Sequence, residues 1–342
     1  QYALAMSANC EILYSGAGNI PWLMTELQGG NNTYSAMKPI CPTTDEITQW
    51  LWTIIGTEGK GGIFWSLNPR ASGVESGEWA LLDFQHQPTE RVEAIKQVSS
   101  CISRNKELFM NMKKLNSGVN LLYIRESLWT EKVITDYKPA ATDGRKIGLK
   151  NLLGYFKALS EMGVTPNIKA FEEFDFTEED YLGTTIILAN QIAIPNEYAI
   201  RLEQFVEKGG KLIMDGLTGY YDENVHNRFL TGSPLTDLLG GQISEFRYFD
   251  GTYYYELDEG LKIPTTLWKG FIRPSDEAVI MAKDGNHILA TRNSFGKGEV
   301  VWIPTLFGMG AWENTKPLAN YLKTELKLET QAFSFKKYQR GI

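Results

Sequence analysis

Pro21-Trp-Leu-Met-Thr-Glu26-Leu-Gln-Gly-Gly30-Asn-Asn-Thr-Tyr34 is the stretch on which the reading of this 342-residue chain turns. The apolar run Ile20–Thr25 predicts a strand. A run without polar alternation belongs to a parallel sheet, covered on both faces, more often than to an antiparallel one. It ends in a single carboxylate, Glu26, and the chain then breaks at Gly29-Gly30 into an amide-rich loop that closes on Tyr34. Burial of the strand would hold Glu26 rigidly, while the two glycines let the backbone turn away and leave room for a ligand. The alternative is an ordinary surface Glu at a strand end.

Outward from this stretch the pattern repeats. Leu4, Ala8, Ile12 and Leu13 recur at near-helical spacing, and Gly16-Ala17-Gly18 stops that helix. After Pro39–Pro42 a helix opens with a capping box, Thr43 as N-cap and Glu46 three residues on. Its buried stripe is Ile47, Trp50, Leu51, Ile54 and Ile55. Gly61–Trp65 is the next strand, so elements alternate as a βα repeat does. The polar excursion that follows holds Arg70, Glu75, Glu78 and Trp79, and long loops after parallel strands are where α/β barrels place their sites. A long helix from Pro88, with Val92, Ile95, Val98, Ile102 and Leu108 on one face, leaves the first domain by about Leu115.

A second pattern begins at Val119–Ile124. Ile147–Met162 reads as a helix closed by Gly163, Thr184–Ala189 as a buried strand, Pro195–Lys208 as a helix ended by Gly209-Gly210, and Lys211–Met214 as a strand. Successive βα units predict a doubly wound parallel sheet. Between Phe246 and Pro304 the pattern changes to short strands separated by Gly, Pro and Asp-Gly signals, with Asp284-Gly285 a hairpin tip. A last helix spans about Lys316–Leu326. The expected division is 1–116, 117–328 and a further β segment starting in 329–342. The chain begins at Gln1 without an initiator Met, and both ends are expected to be cut from a longer protein.

Composition narrows the function. With 34 basic and 41 acidic residues the net charge is −7, and no basic run is present, so nucleic acid is not an expected partner. No apolar run approaches the ~20 residues of a membrane-spanning helix. Cys10, Cys41 and Cys101 lack CxxC spacing, and His86, His226 and His287 are scattered, so neither a disulfide framework nor a metal is expected. Aromatics make up 12% of the chain. Such rings can stack on sugar faces, although large cores use them too. Asn31-Asn32-Thr33 matches a glycosylation sequon, and the acidic run Glu172–Asp180 reads as a solvated loop. A glutaminase would need a cysteine at a strand-to-helix elbow of the second domain, and all three lie before residue 118. No phosphate-cradling glycine motif follows Val119–Ile124, so no cofactor is expected. What remains is carboxylates at the ends of two successive strands with Tyr34, Trp65 and Trp79 near them, and glycoside hydrolysis needs one carboxylate as nucleophile, a second as acid, and rings to hold the sugar. Glu26 fits the first role, and nothing here fits the second.

Several segments resemble glycoside hydrolase family 42, the retaining β-galactosidases. Pro21–Gly30, Gly62-Ile-Phe-Trp65 and Gly73-Val-Glu-Ser-Gly-Glu-Trp79 are similar to the last part of that family's catalytic (β/α)8 TIM barrel. Leu122-Tyr-Ile-Arg-Glu-Ser127, Leu202–Ile213, Ser233–Gly241 and Phe295–Val301 are similar to its trimerisation domain, a doubly wound, flavodoxin- or class I glutamine amidotransferase-like fold. The resemblance covers about 20–328. It implies that Glu26 is the nucleophile and that Tyr34 falls where the family has a Trp lining the sugar site. Glu75 matches a sugar-hydroxyl-binding Glu, with Trp65 and Trp79 beside it. Glu78 stands where the family tends to have a His, which changes the contacts that select galactose and leaves a β-mannosidase or arabinosidase as the rival. The acid, in an Asn-Glu pair, falls upstream of Gln1. The isolated chain is therefore expected to lack turnover, or to be a carbohydrate-binding or assembly fragment. A β-linked glycoside and a homotrimer are the implied partners.

Overall fold

The computed structural model describes residues 2–136, 146–257 and 260–328, so the β segment expected within 329–342 lies outside the described residues. The chain is an α/β protein of two compact units, one running to Leu115 and the other starting at Asn116.

The first unit contains α1 (Tyr2–Ala17), β1 (Met24–Gln28), α2 (Thr44–Gly56), β2 (Gly62–Trp65), α3 (Glu90–Arg104) and α4 (Lys106–Asn111). β1 and β2 pair in parallel. The capping box forms as its spacing predicts: the Thr43 hydroxyl accepts from the Glu46 amide, and the Glu46 carboxylate accepts from the Thr43 amide at 2.9 Å. Cys10, Leu27, Ile47, Trp50, Leu51, Ile54, Ala94 and Val98 make the core. The helix expected to run on to Leu108 breaks at Asn105, whose side-chain amide donates to the Cys101 carbonyl at 2.9 Å. Asn competes with the backbone for such carbonyls and so ends helices.

The second unit contains β3 (Val119–Tyr123), α5 (Arg125–Asp136), α6 (Ile147–Glu161), β4 (Asn167–Ala170), β5 (Thr185–Ala189), α7 (Asn196–Glu207), β6 (Lys211–Asp215) and the short helices α8 (Arg228–Thr231) and α9 (Thr236–Leu239). β7 (Gly241–Glu256), β8 (Lys262–Pro274), β9 (Val279–Asp284), β10 (His287–Phe295), β11 (Gly298–Ile303), α10 (Phe307–Gly310) and α11 (Lys316–Glu325) follow. Five parallel strands run in the order β4-β3-β5-β6-β11, and the antiparallel strands β10, β8 and β7 continue the sheet, with β9 beside β10. Alternate residues of the parallel strands face opposite ways. Leu122, Ile186, Leu188, Leu212, Met214 and Trp302 form one core with Leu202 and Phe205 of α7. Leu121, Ile187, Ile213 and Val301 point the other way and are equally buried, and α6 packs on β5. Burial on both faces accounts for the unbroken apolar runs.

Of the short strands expected between Phe246 and Pro304, β9, β10 and β11 form, but the part up to Pro274 belongs to one long ribbon, β7 paired with β8. Asp250-Gly251, a turn signal in the sequence, is taken up as a register shift between Phe249 and Thr252, with Gly251 at φ 84°. A bulge uses the same left-handed glycine that a tight turn does, so the strand continues. The Asp284-Gly285 hairpin forms as expected, joining β9 to β10.

Asp215, the last residue of β6, is fully buried. Its carboxylate accepts from Asn151 Nδ2 at 2.7 and 2.9 Å, from the Tyr155 hydroxyl at 2.9 Å, and from the amides of Asn190 at 2.9 Å and Phe307 at 3.2 Å. Burial nonetheless pushes its pKa up to about 7, the hydrogen bonds offsetting only part of the desolvation. This carboxylate joins α6, β5, β6 and the start of α10. There the helices meet glycine to glycine, the Gly308 carbonyl occupying the place a Cβ on Gly154 would take.

Candidate active site

The expected strand at Ile20–Thr25 forms four residues later, at Met24–Gln28, and Ile20 and Leu23 are exposed. Its register against β2 shifts between Met24 and Leu27. Leu27 is buried and Met24 packs on the same core, so the shift lets two residues three apart face inward while Thr25 and Glu26 both stay exposed. Glu26 thus lies in mid-strand on the open side. It is not the buried carboxylate at a strand tip that the sequence suggests, because that expectation took Ile20–Thr25 as a strand covered on both faces, whereas Ile20, Leu23 and Thr25 are exposed. Glu26 has no hydrogen-bond or ion-pair partner among the described residues.

Parallel pairing sends the loops after β1 and β2 from the same end of the strands. They are laced together. The Gly29 amide donates to the Trp65 carbonyl at 3.0 Å, the Trp79 amide to the Asn31 carbonyl at 2.7 Å, and Arg91, in the first turn of α3, donates from Nε to the Gly29 carbonyl at 2.7 Å. Contrary to the expectation from the sequence, Gly29 and Gly30 do not open space for a ligand. They are buried against the Trp79–Ala80 backbone, and a Cβ on Gly29 would stand 2.7 Å from the Trp79 carbonyl. A Gly30→Ala substitution, whose Cβ would overlap the Ala80 backbone, is expected to cost the first unit about 2–4 kcal/mol. Thermal unfolding would check this, and an unchanged midpoint would contradict the packing.

Two side-chain groups sit on these loops. In the first, Glu75 Oε2 accepts from Trp65 Nε1 at 3.1 Å and pairs with Arg70 Nη1 at 2.8 Å, while the Arg70 guanidinium lies 5.8 Å from the centre of the Trp65 ring. Glu75 Oε1 takes no donor from the described residues, so an oriented carboxylate keeps one oxygen available for a hydroxyl. In the second group, buried Glu78 accepts from the Tyr34 amide at 2.7 Å, the Ser35 amide at 3.1 Å and the Ser35 hydroxyl. Trp79 Nε1 donates to the same Ser35 oxygen at 2.6 Å. The Ser35 hydroxyl, with the Tyr34 and Ser35 amides, holds the Glu78 carboxyl below its ordinary 4.5 against the opposing effect of desolvation. Tyr34 is 91% exposed and Trp65 43%. Glu26 shares no hydrogen bond or ion pair with either group.

Sequence reasoning missed Ser35 and Arg91. Nothing local marks the serine, but a cation in the first turn of a helix opposes the helix dipole, and that anomaly is a signal for Arg91. Among the described residues no cluster of three His, Cys, Asp or Glu could hold a metal ion. No helix there is long and apolar enough to cross a membrane.

Residues 117–329 match the family model described as the beta-galactosidase trimerisation domain. The beta-galactosidase BbgII of Bifidobacterium bifidum is 25% identical over 179 residues, a match covering 51% of this chain and 24% of that protein. A catalytic mutant of Gan42B, a GH42 beta-galactosidase from G. stearothermophilus, superposes with a TM-score of 0.79 at 15% identity, over 97% of this chain and 47% of the other. An exo-beta-1,4-mannosidase from Opitutaceae bacterium strain TAV5 gives 0.63 at 15% identity, over 97% and 56%. The chain therefore spans about half the length of the solved β-galactosidase relative.

Proposed function

Since the chain belongs to the family of the β-galactosidase trimerisation domain, we propose that it is the later part of a retaining glycoside hydrolase acting on terminal β-galactosides, with Glu26 as nucleophile. The observation that carries this reading is the register shift in β1, which presents a carboxylate with no partner among the described residues on the strand that leads into two laced loops. In this reading β1, α2, β2 and α3 are the last βα units of a (β/α)8 barrel, and Glu26 attacks the anomeric carbon. A second carboxylate, from outside the 342 residues, protonates the leaving group, and water then resolves the glycosyl-enzyme. Glu75, oriented by Trp65 and Arg70, binds a sugar hydroxyl through Oε1. Tyr34, Trp65 and Trp79 supply rings for the sugar's apolar faces. The strand order of the second unit supports a doubly wound module of the flavodoxin-like kind, since its parallel strands, numbered by themselves, run 2-1-3-4-5.

A second reading keeps the mechanism and changes the sugar. Its basis is Glu78: both oxygens of this carboxylate already accept hydrogen bonds from the loop, where the family's imidazole would offer a donor to the sugar. Aryl β-galactoside, β-mannoside and α-arabinoside turnover by the full-length protein separates the two. Preference for the galactoside supports the first reading, and preference for either other sugar overturns it. The trimerisation family also supports a homotrimer whose second unit walls a neighbour's cleft. Light scattering at micromolar concentration is expected to give three times the protomer mass, and a monomer would count against this.

A further inference from the structure

We propose that Glu78 is a positioning residue that latches the Asn31–Cys41 loop over the sugar site, and that it makes no contact with sugar. The inference rests on the reading of that site given above. Three donors converge on this carboxylate, and all come from Tyr34 and Ser35: two backbone amides and one hydroxyl. The Ser35 oxygen in turn accepts from Trp79 Nε1, so a single buried anion fixes the backbone that carries the exposed Tyr34 ring and also, through Ser35, the indole of its own neighbour. The loop is held at its other end by a separate set of bonds. The Ile40 amide donates to Asn32 Oδ1 at 2.6 Å, and Gln28 Nε2 donates to the carbonyls of Gly30 at 2.6 Å and Ile40 at 3.1 Å. Those bonds close the loop at its base, whereas Glu78, together with Trp79 Nε1 on the Ser35 oxygen, ties its tip to the loop after β2. A charged acceptor suits this role, since amide donors bind a carboxylate more strongly than a neutral oxygen. A neutral glutamine at 78 would turn an N–H group toward one of the converging donors.

The test compares wild type, Glu78→Gln and Ser35→Ala in the full-length protein on aryl β-galactosides, each lacking one sugar hydroxyl. For Glu78→Gln, KM is expected to rise about tenfold by the same factor for every deoxy sugar, with kcat within about threefold. Amide exchange at Tyr34 and Ser35 is expected to speed up. Ser35→Ala keeps both amide bonds and is expected to give a smaller rise. A penalty that vanishes for one deoxy sugar would mean that Glu78 binds that hydroxyl, and would overturn the latch. Unchanged KM, or unchanged amide exchange, would overturn it as well. If wild type shows no labelling of Glu26 by a 2-fluoro-galactoside, the sugar-site reading fails, while amide exchange in Glu78→Gln still decides whether the latch exists.

Discussion

Replacing Glu26 by Gln in the full-length protein is expected to lower kcat for an aryl β-galactoside by on the order of 10⁴-fold or more. That is about 5 kcal/mol of lost transition-state stabilisation. The amide keeps the shape and removes the nucleophile. Because Glu26 is exposed and has no partner among the described residues, the change breaks no contact of the fold, and unfolding of the variant is expected to match wild type. Turnover is thus separated from stability. A variant that retains a tenth or more of wild-type kcat would exclude Glu26 as the nucleophile, and a variant that fails to fold would contradict the exposed placement.

The largest stability effect is expected in the other unit, at Asp215. Asp215→Ala leaves Asn151, Tyr155 and the amides of Asn190 and Phe307 aimed at an empty buried space. Orphaned buried donors and a broken network of this kind cost about 3–5 kcal/mol, read as a lower urea midpoint. The loss has a pH signature. The folded pKa, about 7, lies above the ordinary 3.8, so between these values the folded state holds a proton that the unfolded state has released. Wild-type stability from this group therefore falls as pH rises from about 4 to 7, by at most about 4 kcal/mol. The deficit of Asp215→Ala is accordingly expected to be larger at pH 5 than at pH 8. A deficit that is the same at pH 5 and pH 8 would mean that the five hydrogen bonds outweigh burial and hold the group ionised.

Much of the architecture was legible because its signals are local. The Thr43–Glu46 box, the Asp284-Gly285 hairpin and the apolar runs of β3, β5 and β6 each reflect a few neighbouring residues, or burial on both faces. The sequence misleads where a distant partner decides the outcome. Asp250-Gly251 reads as a turn in isolation but becomes a bulge because β8 pairs across it. The β1 strand moves to Met24–Gln28 and turns Glu26 outward because its register is set against β2, 34 or more residues on. Gly29 and Gly30 announce a special backbone, but only the approach of Trp79–Ala80 says which kind. At the site, the residue types of Glu26, Glu75 and Trp65 suggested sugar chemistry. The occupation of Glu78 by Tyr34 and Ser35 was not legible, since it joins loops more than forty residues apart.

The most direct measurement is covalent trapping. The full-length protein is incubated with an aryl 2-deoxy-2-fluoro-β-galactoside, digested, and the labelled peptide is identified by mass. If Glu26 is the nucleophile, one fluorosugar is carried per protomer, on the peptide containing Glu26, and activity is lost in step with labelling. A fluorosugar on any other carboxylate, or inactivation with Glu26 unmodified, would contradict the account.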